Sequence, residues 1–463
     1  MASPILFVKL DSFSVRYWDE AMFAVNAYEM AHTAEYIVPS VEGSPDMYNS
    51  KPPLQLWAQA FFIKAIGYNA LAIRLPSAIA ACLTIIITFL FLKKYIDTLF
   101  AWICSLILIT SHGFITFHSG RTGDADALLT LFLTVSTLSF ILIISGNEKR
   151  NMYSLLFFIS LSLAFLTKSF ASLLFILGYV LVLLFYRENL IAILKNKFTW
   201  IGLFLFFCIS ILYCVAREHQ QPGYIQYLFQ HDAGRVVLEI EKHKEPIDFY
   251  LWNIAERYYS MWFMFFICGI VLMFMKTPNT KMKPLLIISG LLFSGYFMII
   301  SASTTKLCWY DMPLYPLMSI IGGYTIYQLF HLFFQTDLKR TIIIMVLFFV
   351  IPYKQSFGYS QSNSYSPYEE TNEASEKYLH RAIRNKVPLN NYFVYHTGYD
   401  RALLFYKYYL SDRHQNLRIS DVPEFPNGAN VIVSNDSLKQ VLLDKYSAKT
   451  IDKYQNVTVY QIQ

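Results

Sequence analysis

The feature of this sequence that most constrains its fold is a series of apolar segments, each about as long as a helix that crosses a bilayer. A water-soluble domain does not need so many continuous apolar stretches, so the chain is predicted to cross a membrane repeatedly. The segments that are long enough to cross are 71–92, 99–117, 127–145, 198–216, 258–275, 285–301 and 312–334.

Three further apolar segments are shorter or interrupted. Residues 152–186 are apolar except near Lys168, which predicts two short helices joined by a tight turn at the outer face. Residues 341–353 predict a short last crossing, and the apolar start, 4–10, is too short to cross alone. Together these segments predict a polytopic α-helical membrane protein with about eleven transmembrane helices.

The composition supports this class. The chain is 55% hydrophobic and only 15% charged, whereas roughly a quarter of the residues in a soluble domain are charged. Its net charge of +6 does not require a nucleic-acid partner, because the cytoplasmic loops of membrane proteins are rich in Lys and Arg.

The distribution of Lys and Arg predicts which loops lie outside. Short loops on one side carry cation clusters such as Lys93 with Lys94, whereas those on the other side carry a single cation each, Arg121, Lys168 or Lys306. Because positive loops stay in the cytoplasm, the loops of the second group and the C-terminal tail are predicted to be extracytoplasmic.

Two of the predicted outer loops are long. The first, 11–69, contains apolar-periodic stretches around 18–30 and 54–66 that predict helices lying in the membrane interface. The second, 217–257, is dense in Tyr, His and charged residues. Both loops contain too many charged and aromatic residues to be simple linkers.

The composition changes near residue 354, where Ser, Asn, Tyr and charged residues begin to dominate. A polar hinge at 355–370 is predicted to join a transmembrane domain, 1–353, to a soluble extracytoplasmic domain, 354–463. Alternating helices and strands in this second domain predict a small α/β fold. The predicted helices are 372–385, 401–410 and 437–446, and the predicted strands are 392–396, 430–433 and 457–462.

The charged residues of the outer loops are the candidate functional residues, because charges beside hydrocarbon are costly and are kept where they do chemistry or line a pathway. Lys and Arg can hold phosphate oxygens, and a carboxylate can take a proton from an attacking hydroxyl. The set therefore predicts a site that binds a lipid-linked phosphate and activates a hydroxyl. It consists of Asp19, Glu20, Lys51, Arg121, Asp124, Asp126, Lys168, Arg235, His243, Lys244 and Lys306.

Structural roles are the alternative for these residues. The acids at 19–20 could begin an interfacial helix, where they suit the helix dipole. Asp124 and Asp126 could cap the next transmembrane helix. Lys51, which precedes two prolines, could mark a helix start, and Lys168 could extend towards lipid headgroups.

Several short motifs of this set follow one another in a fixed order, and together they resemble the C-type glycosyltransferases that use polyprenyl-phosphate sugars. The likeness is greatest to the bacterial branch that contains the aminoarabinose lipid A transferase, which is related to the protein O-mannosyltransferases. It covers residues 11–320. The motifs are Trp18-Asp19-Glu20, Lys51-Pro52-Pro53-Leu54, Ala72-Ile73-Arg74-Leu75-Pro76, Arg121-Thr122-Gly123-Asp124-Ala125-Asp126, Leu166-Thr167-Lys168, His243 to Pro246 with Tyr250, and Thr305-Lys306-Leu307 with Trp309-Tyr310.

The resemblance implies roles for individual residues. Asp19 is the expected catalytic carboxylate of the first outer loop. Asp124 and Asp126 match the second acidic motif, and the sequence leaves open which of them is the counterpart. The residues expected to hold the carrier phosphate are Lys51, Arg235 and Tyr310.

The resemblance also implies an activity. The chain is expected to transfer a monosaccharide from an undecaprenyl-type phosphate, with inversion of the anomeric carbon, to lipid A, lipopolysaccharide, another envelope glycan or a protein. The expected location is a bacterial inner membrane, with the site facing the periplasm or the cell exterior. The alternative from another functional class is a transporter or flippase for a lipid-linked or anionic substrate, and a third possibility is a non-catalytic partner in envelope assembly.

Two chemical expectations follow. An ordinary Asp, with a pKa near 3.9, is a weak base at neutral pH, so the site is expected to raise the pKa of Asp19 through burial or a neighbouring carboxylate. Metal dependence is left open: Asp19 and Asp126 could hold Mg²⁺ or Mn²⁺, whereas His231 and His243 are assigned no metal.

Overall fold

The structure, a computed structural model, describes residues 2–116, 118–240, 243–275, 281–333, 338–362 and 373–463. Most of the chain before residue 362 is helical. The α-helices of this part are α1 (Ala2–Phe7), α2 (Asp19–Thr33), α3 (Leu54–Ile66), α4 (Ala70–Tyr95), α5 (Thr98–Ile109), α6 (His112–Ile115), α7 (Asp126–Ile144), α8 (Arg150–Lys168), α9 (Ile176–Phe185), α10 (Arg187–Leu194), α11 (Lys197–Gln220), α12 (Tyr224–Leu228), α13 (Phe249–Trp252), α14 (Ser260–Met275), α15 (Met282–Ala302), α16 (Tyr315–Phe333) and α17 (Leu338–Gln361).

Among the described residues, six helical stretches are long and apolar enough to cross a membrane. A seventh crossing results if the pair Phe249–Tyr258 and Ser260–Met275, bent by 120°, is counted as one. The prediction of a polytopic helical membrane protein is confirmed, and the number of about eleven crossings stays a prediction. The six stretches are Ala70–Tyr95, Asp126–Ile144, Arg150–Phe185, Lys197–Gln220, Met282–Ala302 and Ile342–Gln361.

The chain reverses direction within Arg150–Phe185, between α8 and α9. Lys168, at the end of α8, donates to Asp126 at the beginning of α7, whereas Tyr179 on α9 bonds to Ser136 in the middle of α7. The Tyr179 ring also packs against Phe157 of α8, with 5.0 Å between ring centroids. The two helices therefore run side by side in opposite directions, as predicted.

Two predicted segments differ from the structure. The segment 99–117 is helical as α5 only to Ile109, because the hydroxyls of Thr110 and Ser111 bond to carbonyls of the preceding turn and so compete with the backbone. Phe117 lies outside the described residues.

The predicted hinge at 355–370 is wrong over its first part. Helix α17 continues to Gln361, because its polar side chains still pack against the bundle: Ser356 is fully buried and donates to the carbonyl of Thr110. Residues 363–370 lie outside the described residues. The division into domains near residue 354 stays a prediction.

The first outer loop carries the helices that the sequence predicts. Helix α2 begins at Asp19, α3 covers Leu54–Ile66, and a two-stranded hairpin of β1 (Ser40–Val41) and β2 (Ser44–Pro45) lies between them.

The C-terminal region is a small α/β domain, as predicted. Its five strands lie in the order β4-β3-β5-β7-β6; β3 is parallel to β4 and β5, and β7 is antiparallel to β5 and β6. The sequence did not reveal β4 and β6, because β4 is an edge strand of only four residues and β6 is an edge strand that is mostly exposed. The elements are α18 (Ala374–Arg384), β3 (Tyr392–Tyr395), α19 (Arg401–Ser411), β4 (Leu417–Ser420), β5 (Asn430–Val433), α20 (Asp436–Lys445), β6 (Ala448–Tyr454) and β7 (Val457–Ile462).

This domain packs directly on the first outer loop. The Tyr408 hydroxyl on α19 donates to Glu29 on α2 at 2.7 Å, and the ring of Tyr399 stacks on Trp18 with centroids 4.3 Å apart. Buried apolar residues of α2, α3 and α19 belong to one continuous core. The C-terminal domain therefore supports the helix that begins with Asp19.

Candidate active site

Asp19 is the first residue of α2 and faces Lys51 from the same outer loop. Its carboxylate lies 3.8 Å from the Lys51 ammonium, and both side chains are mostly buried. Lys51 also lies over the ring of Phe23, one turn along α2. Arg217, fully buried at the end of α11, donates to the carbonyl of Lys51 and so fixes the loop that carries it.

The segment 121–126 is held against α3 and α4 by buried polar groups. Gln55 and Gln59 both donate to the carbonyl of Gly123, and Ser77 donates to the carbonyl of Asp124. Gly123 is closely packed, because an added Cβ would lie 3.0 Å from Gln59 and 3.2 Å from Glu20. This anchoring brings the second acidic motif beside Asp19.

His118 joins the two acidic motifs and was missed by the sequence analysis. Its Nδ1 lies 3.2 Å from a carboxylate oxygen of Asp124, and ligand atoms of Asp19, His118 and Asp124 all lie within 4.8 Å of one another. The imidazole stacks on Trp309, with 3.5 Å between centroids and planes 3° apart. His118 has a φ of 51°, a left-handed backbone conformation that is costly for a non-glycine residue.

Asp126 has a different partner from Asp124. Lys168 donates to it at 2.6 Å, and both side chains are buried. The Lys168 ammonium also lies 5.1 Å from the centre of the Tyr310 ring. A group that could hold a metal ion therefore combines Asp19 with Asp124 and His118, and the predicted sharing of an ion by Asp19 and Asp126 stays a prediction.

Arg235 and Tyr310 form the opposite wall. The guanidinium donates to the Tyr310 hydroxyl at 2.7 Å and lies 3.3 Å from Nε2 of His231. His231 in turn lies 3.1 Å from Asp232, which also accepts from the hydroxyl of Ser169 at 2.6 Å. This network orients Arg235 towards the centre of the site.

Most of these side chains line one cavity of about 130 Å³, but the predicted Asp124 and its neighbour His118 are not part of its wall. Aromatic rings of Trp18, Tyr48 and Trp309 surround its polar part, and Leu129 and Leu174 contribute apolar surface. Of the predicted site residues, the cavity wall contains Asp19, Lys51, Asp126, Lys168, Arg235, His243 and Tyr310.

The electrostatics of the cavity overturn one expectation. Burial alone would raise the pKa of Asp19, but Lys51, His118, Lys168 and Arg235 together hold that pKa below its usual value. The expectation of a raised pKa is therefore wrong for the protein without donor, because the sequence could not show how many cations converge on one carboxylate.

The pKa values of His118 and Asp232 are shifted in opposite directions. Burial opposes the charge of His118, yet Asp124 and then Asp19 raise its pKa. Burial also opposes the charge of Asp232, but hydrogen bonds from His231 and Ser169 lower its pKa to about 2. The surroundings of each group therefore favour its charged form relative to its ordinary pKa.

Glu20, predicted as a second catalytic acid, does not line the cavity. It is fully buried on the other side of α2, where Arg74 donates to both of its oxygens at 2.7 and 2.9 Å. The backbone N–H groups of Arg16 and Gly123 also donate to it. Its carboxylate therefore ties three segments together, because every hydrogen-bonding position is used within the protein.

Three predicted substrate-binding cations also lie away from the cavity. Arg121 donates to carbonyl oxygens of the first residues of the chain. Lys306 donates to the carbonyls of Ser303 and Glu245. Lys244 is exposed, and its backbone pairs with Thr305. The sequence predicted that these three residues lie in loops, but it did not show that their side chains point away from the cavity.

A family model described as dolichyl-phosphate-mannose-protein mannosyltransferase matches residues 50–214. A chain from Aquifex aeolicus, described only as an uncharacterized protein, is 26% identical over 308 residues, 65% of this chain and 58% of its own length. An undecaprenyl phosphate-alpha-4-amino-4-deoxy-L-arabinose arabinosyl transferase from Pseudomonas savastanoi pv. phaseolicola is 23% identical over 235 residues, 50% of this chain and 43% of that protein. The chain thus spans about half the length of the curated relatives it matches.

Among solved structures, ArnT from Cupriavidus metallidurans bound to undecaprenyl phosphate superposes with a TM-score of 0.73 at 14% identity, over 99% of this chain and 96% of that chain. The chain has the fold of the C-type glycosyltransferases. The oligosaccharyltransferase of Archaeoglobus fulgidus has a lower TM-score of 0.53 at 12% identity, over 97% of this chain and 68% of that chain.

The C-type glycosyltransferase fold, including the small C-terminal sheet, is therefore confirmed, as is the resemblance to the aminoarabinose transferases and protein mannosyltransferases. The roles of individual site residues in this C-type glycosyltransferase fold stay predictions. The sequence signal for His118 was weak, because no motif surrounds it and its partner Trp309 is distant along the chain.

Proposed function

We propose that this chain is a membrane glycosyltransferase that moves one monosaccharide from a polyprenyl phosphate to an acceptor outside the cytoplasm. The observation that carries the proposal is the convergence of Asp19, Lys51 and the Arg235–Tyr310 pair on one cavity of a C-type glycosyltransferase fold. The printed descriptions of the relatives, which name an undecaprenyl phosphate donor, support this substrate class.

The donor phosphate would occupy the cationic part of the cavity. Lys51, Lys168 and Arg235 can supply charge-assisted hydrogen bonds to its oxygens, and the Tyr310 hydroxyl can add another. The apolar side chains of Leu129 and Leu174, which line the same cavity, suit the first isoprene units of the carrier. The cavity thus offers both parts of the donor a matching surface.

Asp19 would act on the acceptor. Its carboxylate takes the proton of the attacking hydroxyl, whose oxygen bonds to the anomeric carbon while the bond from that carbon to the phosphate oxygen breaks. The electron pair leaves with the phosphate, whose charge the cations stabilise, so that no strong general acid is needed. A direct displacement of this kind inverts the anomeric carbon.

Donor binding would also prepare Asp19 for this role. The cations that lower its pKa are the same groups proposed to hold the phosphate. An anionic phosphate at those cations offsets their charge and raises the pKa of Asp19 relative to the protein without donor. Proton transfer to Asp19 is therefore coupled to donor binding.

The acceptor we favour is a lipid A or lipopolysaccharide-type glycolipid, because the curated relatives that name an activity transfer aminoarabinose. The proposed location is a bacterial inner membrane with the cavity facing the periplasm. A bound Mg²⁺ or Mn²⁺ would be held by Asp19, His118 and Asp124, the only described group of such donors close enough to share one ion.

A direct test uses the purified protein, a panel of labelled polyprenyl-phosphate sugars and envelope extract as the acceptor source. We expect label to enter a product with wild type and with Asp436→Asn, which removes an exposed carboxylate in the C-terminal domain. Asp19→Asn should not form that product.

The alternative function, transport of a lipid-linked substrate, predicts a different result. Labelled donor would cross the membrane of a proteoliposome without a new glycosidic bond, and Asp19→Asn would retain this movement. Transfer by wild type that is equally fast in Asp19→Asn would show that the activity is right and the assigned base is wrong.

A further inference from the structure

Asp232 lies where three segments meet, and each of these segments carries one cation of the donor cavity. Its carboxylate accepts from the hydroxyl of Ser50 at 2.8 Å and from the hydroxyl of Ser169 at 2.6 Å. Ser50 directly precedes Lys51 in the chain, and Ser169 directly follows Lys168. One mostly buried carboxylate is therefore bonded to a chain neighbour of each of two cavity cations.

The third cation, Arg235, is linked to the same carboxylate through His231. The carboxylate of Asp232 lies 3.1 Å from Nδ1 of His231, and Nε2 of that ring lies 3.3 Å from the Arg235 guanidinium. An ionised carboxylate can only accept, so in the neutral ring Nδ1 carries the proton and the lone pair of Nε2 faces the guanidinium. Asp232 therefore fixes the tautomer of His231 that can accept from Arg235.

The backbone of Ser169 is a separate sign of the role of Asp232. Its φ is 37°, a positive value that a residue with a side chain adopts only at a cost and only where its surroundings hold it. Lys168 ends α8 directly before this residue, and its ammonium donates to Asp126. The hydrogen bond from the Ser169 hydroxyl to Asp232 holds the strained residue in place, and so it fixes the point from which Lys168 enters the site.

We propose that Asp232 is a positioning residue that arranges Lys51, Lys168 and Arg235 around the donor phosphate without binding the phosphate itself. A carboxylate repels a phosphate, so Asp232 contributes through the two hydroxyls and the imidazole that are bonded to it. Cations that are already arranged lose less freedom when a ligand binds. The inference rests on the proposed function, because that function assigns the three cations to the donor phosphate.

The test measures the binding of labelled undecaprenyl phosphate, the carrier without a sugar, to purified protein in nanodiscs. Asp232→Asn replaces one acceptor oxygen by an N–H donor, so that His231 reverses its tautomer and turns an N–H towards Arg235. We expect the affinity to fall about tenfold or more, and Asp232→Glu, which keeps a carboxylate, to recover part of it. Asp248→Asn is the matched control, because Asp248 belongs to the same outer loop but accepts from Trp252, outside the described wall of the cavity. It should bind like wild type.

Double variants separate positioning from a direct contact with the ligand. If Asp232 acts through Arg235, its replacement should cost less affinity when Arg235 is already absent. We therefore expect Asp232→Asn to weaken binding by a smaller factor in an Arg235→Gln background than in wild type. Ser50→Ala and Ser169→Ala each remove one hydroxyl and should each lower the affinity about threefold, which tests the inference even where Asp232→Asn does not fold. An unchanged affinity in Asp232→Asn or in both serine variants would overturn the inference, as would equal factors in the two backgrounds.

A measurement without ligand distinguishes failure of this inference from failure of the proposed function. Nitrogen NMR of histidine-labelled protein, with the His231 signals identified by their loss in His231→Gln, shows which ring nitrogen carries the proton. We expect Nδ1–H in wild type and in Asp248→Asn, and Nε2–H in Asp232→Asn. Nε2–H in wild type would overturn the inference even if undecaprenyl phosphate binds. The expected tautomers without any binding of undecaprenyl phosphate to wild type would support the arrangement made by Asp232 and contradict the proposed donor class.

Discussion

Asp19 and Glu20 are neighbours in sequence, yet they occupy two environments that differ in almost every respect. Asp19 faces a cavity whose wall also carries Lys51, Lys168 and Arg235 together with several aromatic rings. Glu20 faces Arg74 in the protein interior, with each oxygen bonded. Burial alone would raise the pKa of both carboxylates, yet both pKa values are lowered. Several separate cations lower the pKa of Asp19, whereas chiefly Arg74 lowers that of Glu20.

The comparison shows how a charge beside the membrane can be structural or reactive. Arg74 and two backbone N–H groups use all the capacity of Glu20, so it can only hold segments together. The Lys51 ammonium lies 3.8 Å from Asp19, beyond normal hydrogen-bond distance, so neither group's hydrogen-bonding capacity is used on the other. Remaining hydrogen-bonding capacity, and not charge alone, marks the residue that can act on a substrate.

The largest effect should come from Asp19→Asn. Removal of a positioned base should lower the rate of sugar transfer about 10²- to 10⁴-fold, while the unfolding temperature changes less than in a Glu20 variant. Initial rates with labelled donor and thermal unfolding of the same preparations measure both. A loss of transfer rate of about threefold or less would contradict the role of Asp19, because removal of a general base is expected to lower the rate at least about 10²-fold.

Glu20→Gln should show the reverse pattern. It leaves Arg74 buried without its carboxylate, so the free energy of unfolding should fall by about 3–5 kcal/mol. The protein that remains folded should keep most of its transfer rate. Denaturant titration of wild type and Glu20→Gln measures the loss. A stable Glu20→Gln protein with no activity would mean that the two carboxylates share one function.

A third buried carboxylate, Asp311, sharpens the comparison because no Lys or Arg pairs with it among the described residues. Burial raises the pKa of Asp311 to about 7, although Asn253 and Tyr315 hydrogen-bond to it. The folded state therefore binds a proton more tightly than the unfolded chain, and stability is lost as pH rises from about 4 towards 7.

Asp311→Asn removes this pH-dependent penalty. At pH 8 the variant should be more stable than wild type by at most about 4 kcal/mol, and the difference should shrink as the pH approaches 4. Thermal unfolding across this range measures the trend. A stability difference that is constant with pH, or that grows at low pH, would contradict the raised pKa.

Lys51→Ala should have the smallest of these effects. Loss of one charge-assisted hydrogen bond to the donor phosphate should raise the KM for donor about 10- to 100-fold, with a smaller change in kcat. Lys51→Arg should recover part of the affinity. An unchanged donor KM in Lys51→Ala, measured beside wild type, would place the phosphate elsewhere.

The sequence was sufficient for the features that depend on local pattern. Apolar length predicted the helices around Asp126–Ile144 and Lys197–Gln220, and the ordered motifs predicted that Asp19, Lys51 and the acidic motif at 124 and 126 belong to one site. These features follow from hydropathy and from neighbours in the chain.

What the sequence could not predict depends on the direction of side chains in three dimensions. Arg121 and Asp124 are three residues apart, but Arg121 donates to carbonyls of the first residues of the chain, whereas Asp124 lies beside Asp19 and His118. His118 gains its importance from Asp124 and from Trp309, which is brought beside it only by the packing of the bundle. Tyr399 reaches Trp18 from a separate domain.

The central claim is that Asp19 and the cations of one cavity act together on a lipid-linked phosphate. The most direct test is an experimental structure of Asp19→Asn with undecaprenyl phosphate bound. The account predicts phosphate oxygens within hydrogen-bond distance of Lys51, Arg235 and the Tyr310 hydroxyl, with residue 19 facing the free side of the phosphate. A phosphate bound away from these three groups would contradict it.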